Sequence, residues 1–386
     1  GAKGQTRHYL VLAMSNVEIR ACGGFPGSRG VMSVTDGKLE LGDFVKVDMM
    51  KEPLSPLPIT DEEANLFTTG WGLTGFNTLG YTMGDVTMTP DYPRAAQLAS
   101  DMQKAIVGDD IDGVFAVDPV FLQYMLGIVG GTQLPDGTVV DGSNAAKVLL
   151  HDIYWNYPVE EQDAIFAAVA GSAFNKIVDE LGSSDITKIA AAIEKGASEG
   201  RILMYSRNDD EEKAAKALGI SGALQNDASE APILGVYVNN YSYSKMDWFL
   251  DKRVTIDSSV ENADGSTTYR VTTTLKNTMT PQEKAEMPGY FQGHNGISQD
   301  IDDEVLRLYL YAPAGGSISD IKTSGSGSIE MNEATHDGLK VAWGGVHMLL
   351  GQDIKVEYTV TTSKDSGHKA LKVRTTPTAQ TFEQDK

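Results

Sequence analysis

The chain has 386 residues, of which 41% are hydrophobic and 22% charged, a composition that suits two folded cores and excludes a disordered segment. Its net charge of −21 excludes non-specific nucleic-acid binding, which needs a basic surface, and peripheral attachment to an anionic membrane face. Cys22 is the single cysteine, so an intrachain disulfide and a Cys-rich zinc centre are both excluded.

Residues His8–Met14 form a short apolar run and read as a buried strand. Ser15–Gly30, dense in glycine and polar groups, reads as a long loop. Val31–Thr35 and Lys38–Phe44 flank Asp36-Gly37, a hairpin signal. Residues 51–90 read as irregular. A helix follows from Pro93 to Val107, with Asp91 and Pro93 suited to its start. Asp112–Val117 reads as a strand, and Asp118-Pro119 opens an apolar helix that stops at Gly130-Gly131.

Further helices are expected over Ser143–Trp155, Glu160–Leu181, Asp185–Ser198 and Asp209–Leu218. Strands are expected over Arg201–Tyr205 and Ile233–Asn239. Strands alternating with such helices predict a layered α/β domain with a central mixed sheet, over residues 1–240. From 241 to 386 the text turns Thr-, Ser-, Gly- and Val-rich with period-two alternation. This predicts a β-sandwich of immunoglobulin-like size, with a polar, frayed tail after Thr375. No stretch approaches the roughly 18 apolar residues of a membrane span. The abrupt start, Gly1-Ala2-Lys3-Gly4 and then a strand, is expected of a chain whose upstream anchor is missing.

The first chemical candidate is the segment Asn16–Gly30, which carries Asn16, Glu18, Arg20, Ser28 and Arg29 around Gly23, Gly24 and Gly27. Glycines let a backbone approach a ligand and present N–H groups, and arginine forks match phosphate oxygens. An anionic or phosphorylated ligand suits this pattern; the bland reading is a surface loop with structural glycines. Neither a Walker A loop nor a dinucleotide fingerprint is present.

The second candidate is Asp85–Arg94, where Asp91 and Arg94 flank a helix start that attracts anions. Asp91 as a simple cap is the bland reading. The third is the acidic set Asp112, Asp118, Asp136, Asp141 and Asp152, in which paired carboxylates would serve glycoside hydrolysis or Mg²⁺ binding, with Asp118 first a helix cap. The six histidines show no metal spacing, and no Gly-x-Ser-x-Gly elbow exists. Cys22 reads as a buried thiol before a nucleophile. Lys245, closing Asn239–Lys245 at a strand end, either reaches a ligand or pins two domains.

Five ordered segments, SNVEIRACGGFPGSRGVMSVTDGKLE, TPDYPRAAQLA, IDGVFAVDPVFLQYML, EGRILMYSRNDDEEKAAKALGISGAL and GVYVNNYSYSKMDWFLDKRV, resemble the domain-of-unknown-function family numbered 4012. That family consists of bacterial surface proteins anchored by an N-terminal helix. The resemblance implies an extracytoplasmic, membrane-anchored protein. Gly84 stands where many members carry an arginine.

The order of strand, Arg/Ser segment, hairpin and helix, followed by IDGVFAVDPVFLQYMLGIVGG, is similar to the LytR-CpsA-Psr phosphotransferases. Those move glycopolymers from a polyprenyl-pyrophosphate carrier with arginines and an acidic residue holding Mg²⁺. Ser28-Arg29 lies at that family's Arg-Ser-Asp-Thr entry, but Gly30 and Val31 follow, so the aspartate is missing; the paired arginines farther along are absent too.

The expectation is therefore a cell-envelope glycopolymer transferase acting on a lipid-linked or cell-wall glycan. Arg20, Arg29, Glu18 and Asp91 would be catalytic, with Glu18 or Asp91 holding Mg²⁺ or acting as base. Asn16, Gly24, Ser28, Arg94 and Lys245 would bind ligand. Alternatives are a non-catalytic glycan-binding or scaffold protein and a glycoside hydrolase.

Overall fold

The computed structural model describes residues 4–47, 57–69, 77–134, 136–180, 182, 185–242, 244–293 and 303–380. Parts of the segment expected to be irregular, 51–56 and 70–76, lie outside the described residues, as does Tyr243. The chain divides into two compact units, neither continuous in sequence. The α/β unit is Gly1–Asn16, Cys22–Ile59 and Asn77–Ala223. The β unit is Val17–Ala21, Thr60–Phe76 and Leu224–Lys386. This partition differs from a single cut after residue 240.

The α/β unit is built on a mixed sheet. Its strands are β1 (Thr6–Ser15), β2 (Phe25–Thr35), β3 (Lys38–Leu41), β4 (Val45–Lys46), β5 (Gly113–Val117) and β6 (Ile202–Ser206). Their order is β6-β5-β1-β2-β3, with β4 on β2. Among the described residues of this sheet, β1 and β5 are the parallel pair, with Ala13 opposite Val117. Its helices include α1 (Tyr92–Val107), α2 (Pro119–Val129), α3 (Val159–Glu180), α4 (Ile186–Ser198) and α5 (Asp209–Ala217). Strand alternation sorts the faces. Val11, Phe115 and Val117 join Phe121, Met125 and Ile189 in one apolar cluster under α2 and α4. Leu12 points the other way. Arg29 lies opposite Leu12 in register and donates from Nε to Gln103 of α1 at 3.0 Å, so α1 covers that second face.

Helix starts follow their capping chemistry. Asp118 accepts from the Phe121 N–H at 2.7 Å, and Pro119 occupies the first turn of α2. Asn208 caps α5, whose first turn carries Asp209, Asp210, Glu211 and Glu212 at the positive dipole end. The helix expected over Ser143–Trp155 runs from Ala145 to Asn156 and contains one π turn, Val148–Asp152.

One expectation is corrected. Ser15–Gly30 is not a single loop, because Phe25–Gly30 is strand, paired with β1 from Ser15↔Phe25 to Val11↔Gly30. Glycine and proline density reads as loop locally, but β1 supplies a hydrogen-bonding edge that sequence spacing does not reveal. A bulge between Ala13 and Met14 takes up the offset.

The β unit contains β7 (Ile233–Asn240), β8 (Leu250–Glu261), β9 (Thr267–Asn277), β10 (Glu304–Tyr311), β11 (Ser317–Gly325), β12 (Ser328–His336), β13 (Leu339–Met348), β14 (Asp353–Thr361) and β15 (Lys372–Thr375). They form two sheets, β12-β13-β10-β7-β15 and β8-β9-β14-β11. Val236, Val238, Leu308 and Leu310 of the first sheet share one core with Val271, Leu275, Val356 and Val360 of the second. Ile19 is fully buried in that core. The tail from Thr376 to Gln380 is a second correction, while 381–386 lie outside the described residues. β15 pairs parallel with β7, and Thr376 is buried, accepting from Val238 N and donating to Ala21 O at 3.0 Å. A free β7 edge outweighs the polar character of the tail.

Candidate functional site

In the α/β unit, parallel pairing carries the ends of β1 and β5 side by side. The residues that follow them, Asn16 and Asp118, therefore stand at the carboxyl ends of adjacent parallel strands, the place where α/β sheets take ligands. Arg201 precedes antiparallel β6 and meets Asp118 there. Its Nη1 donates to Asp118 Oδ2 at 2.8 Å, and Asp118 N donates to Arg201 O at 3.2 Å. Both side chains are almost wholly buried, at 3% and 2% exposure, so the pair is shielded from screening. Arg201 Nε also donates to Glu199, whose carboxylate accepts from Tyr124 OH at 2.8 Å. Burial opposes the Arg201 charge, but the Asp118 and Glu199 carboxylates outweigh it and raise its pKa.

Asn16 is fully buried. Its Nδ2 donates to Gly23 O at 3.0 Å, and its Oδ1 has no hydrogen-bond partner among the described residues. Next to Gly23, Gly24 O accepts from Thr87 Oγ1 at 2.9 Å, Cys22 N donates to Thr87 O at 3.1 Å, and Cys22 Sγ donates to Thr89 O at 2.9 Å. These bonds stitch Cys22–Gly24 to the approach of α1. Tyr92 N donates to Gly222 O and Tyr92 OH to Val114 O, which seats the first turn of α1 on the sheet. Asp91 stands at the N-cap without a cap hydrogen bond from its side chain. Arg94, in the first turn, donates from Nη2 to Pro58 O at 2.7 Å.

Of the residues singled out from sequence, Asn16 lies at this end of the sheet, Gly24 is bonded to Thr87 in the approach to α1, and Asp91 and Arg94 open that helix. Arg29 is buried and tied to Gln103, and half-buried Ser28 sits opposite Ala13 beside the bulge. Cys22 is a buried thiol bonded to a carbonyl. Gly24 has a packing reason of its own, since a Cβ there would lie 2.3 Å from Ser15 O. Gly24→Ala is expected to cost the α/β unit about 1–3 kcal/mol by overpacking, measured by urea denaturation.

The remaining three belong to the β unit. Glu18 and Lys245 form an ion pair at 3.5 Å, with Lys245 Nζ 4.4 Å from the centre of the Tyr290 ring. Arg20 is buried, and its Nη1 donates to Ile19 O and Asn240 O at 3.2 Å each. A Mg²⁺ ion takes about six oxygen ligands from carboxylates, carbonyls, phosphates and water. Among the described residues, no group of three or more Asp, Glu, His or Cys side chains stands together so as to hold a metal ion. The carboxylates weighed for hydrolysis each have local partners: Asp112 on His8 N, Asp118 on Arg201, Asp136 on Tyr157, Asp141 on Ser143 and Asp152 on Lys147.

Residues 4–154 match the family model described as "Protein of unknown function (DUF4012)". The DUF4012 match takes in Asn16, Gly24, Asp91, Arg94 and Asp118, and Arg201 lies beyond it. No curated protein matches the chain. Among solved structures the chain is similar to B. subtilis TagV, at 11% identity over 57% of this chain and 82% of that one, with a TM-score of 0.33. It is also similar to a transcriptional regulator from Enterococcus faecalis, at 13% identity over 56% of this chain and 72% of that one, with a TM-score of 0.31. A protein from Streptococcus agalactiae gives 13%, 56%, 75% and 0.33 in the same terms. Among the described residues no helix is long and apolar enough to cross a membrane.

Sequence reasoning missed Arg201 as a site residue. Its partner Asp118 is 83 residues away, and only the pairing of β5 with β6 brings them together. The signal available in the sequence is that the chain has only ten arginines.

Proposed function

We propose that this chain is an extracytoplasmic cell-envelope protein that handles a polyprenyl-(pyro)phosphate-linked glycan as a glycopolymer transferase. One observation carries the reading: Asn16 and Asp118 follow the adjacent parallel strands β1 and β5, Arg201 is paired with Asp118 there, and α1 opens at Tyr92 with Arg94 in its first turn. A helix N-terminus with an arginine in its first turn suits a phosphate. The Asn16 carbonyl, an acceptor lacking a donor among the described residues, suits a glycan hydroxyl. Arg29 then acts by holding α1 on the sheet, and Arg20 acts within the β unit. The ordered motifs and the DUF4012 match support the envelope setting. Membrane anchoring and use of Mg²⁺ belong to the same proposal.

A second reading is a glycan-binding protein without transfer activity. It is favoured by Arg20 and Arg29, whose guanidinium groups are buried and bonded to protein rather than presented to a phosphate.

The test is calorimetric titration of a polyprenyl-pyrophosphate analogue, with and without Mg²⁺, into wild type and Arg94→Ala. Micromolar binding weakened about ten-fold or more in the variant supports the site, since a charge-assisted bond is lost. Absence of binding in every condition, or equal binding by the variant, overturns it. Incubation with a lipid-linked glycan and an acceptor then separates transfer from binding.

A further inference from the structure

The β unit holds two fully buried carboxyls that its packing leaves short of donors. Glu304 opens β10 at 0% exposure, and neither of its oxygens has a hydrogen-bond partner among the described residues. Asp247 lies in the 3-10 turn Met246–Phe249. Its Oδ2 accepts from Ile19 N and from Asn240 Nδ2, both at 2.7 Å, while Oδ1 has no partner among the described residues. The two acids are neighbours through one strand crossing. Asn240 ends β7 opposite Leu306, and Tyr241 N donates to Val305 O at 2.8 Å. Burying an ionised carboxylate without donors is costly, and the usual resolution is to keep the proton.

The surrounding charges do not remove that cost. Arg20 faces the pair from the Val17–Ala21 segment, with Nη1 on Ile19 O and Asn240 O. Lys245 is already paired with Glu18 and lies over Tyr290. Beside Glu304, Asp303 is paired with His347 of β13 at 2.8 Å.

We propose that Asp247 and Glu304 are a proton-gated lock: protonated, they let the β unit close over Val17–Ala21, and ionised, they draw in water and open that packing. Burial pushes Asp247 up to about 7, with Glu18 adding to the rise and the Ile19 N–H, Asn240 and Arg20 opposing it. Burial also pushes Glu304 well above the usual carboxylate range, and the nearby Asp247 charge pushes the same way. Both folded-state values lie above their unfolded ones. The lock's contribution is therefore complete below about pH 4 and is lost as pH rises through about 7 for Asp247, with Glu304 contributing in the same direction.

The experiment is hydrogen exchange by mass spectrometry on the full chain at about pH 6 and about pH 9, expressed as protection factors so that intrinsic base catalysis cancels. In wild type, protection over Val17–Ala21 and 244–247 is expected to fall about ten-fold or more between the two conditions. In the Asp247→Asn/Glu304→Gln double variant it is expected to stay level. Unchanged protection in wild type, or an equal fall in the double variant, overturns the lock. Should that variant not fold, infrared difference spectra of wild type and Asp247→Asn decide. A buried protonated carboxyl that disappears as pH passes neutral supports the proposal, and no such carboxyl on the acid side overturns it.

Discussion

Replacing Arg201 with alanine is expected to lower the stability of the α/β unit by about 3–5 kcal/mol, because it leaves the buried Asp118 carboxylate without its counter-charge. The loss exceeds that of an exposed ion pair, which is worth about 0–1 kcal/mol, because water cannot replace the guanidinium at a site this closed. Asp118→Asn in the same background should recover part of the loss. Asparagine is also a good N-cap, so α2 keeps its start while the unpaired charge disappears. Urea denaturation followed by hydrogen exchange of peptides from each unit makes the measurement. A loss under about 1 kcal/mol, or no recovery in the double variant, would show that Asp118 does not depend on Arg201.

Ile19→Ala should remove about 2–5 kcal/mol from the β unit, although position 19 lies in sequence between two stretches of the α/β unit. Ile19 is fully buried among Leu234, Val236, Leu250 and Leu306, and the void left by truncation is lined by strands whose own pairing resists collapse. The backbone bonds of residue 19, N–H to Asp247 and C=O from Asn240, remain available in the variant. The change therefore isolates packing from hydrogen bonding. Peptides from β7 and β10 report the β-unit transition, and β1 and β5 report the other. A shift confined to β1 and β5 would contradict the assignment of the Val17–Ala21 segment.

Much of this architecture was legible in the text of the chain. Apolar runs with caps such as Asp118-Pro119, and the change to period-two alternation near 240, predict an α/β unit and a strand-rich unit, and both are present. Local chemistry decides such features: a cap, a proline or an alternation acts within a few residues. The individual placement of Asn16, Gly24, Asp91 and Arg94 in glycine- or proline-rich surroundings was legible for the same reason.

Tertiary structure alone decided the rest. Phe25–Gly30 becomes strand because β1 offers an edge, and β15 is held because β7 does. Arg29 turns inward to Gln103, Arg201 finds Asp118, and Ile19 joins a core whose other members begin more than 200 residues later. Asp247 and Glu304, ordinary acids among 53 in the sequence, become a buried pair only when β7 meets β10. Burial and long-range pairing depend on which surfaces lose water together, and no window of neighbouring residues encodes that.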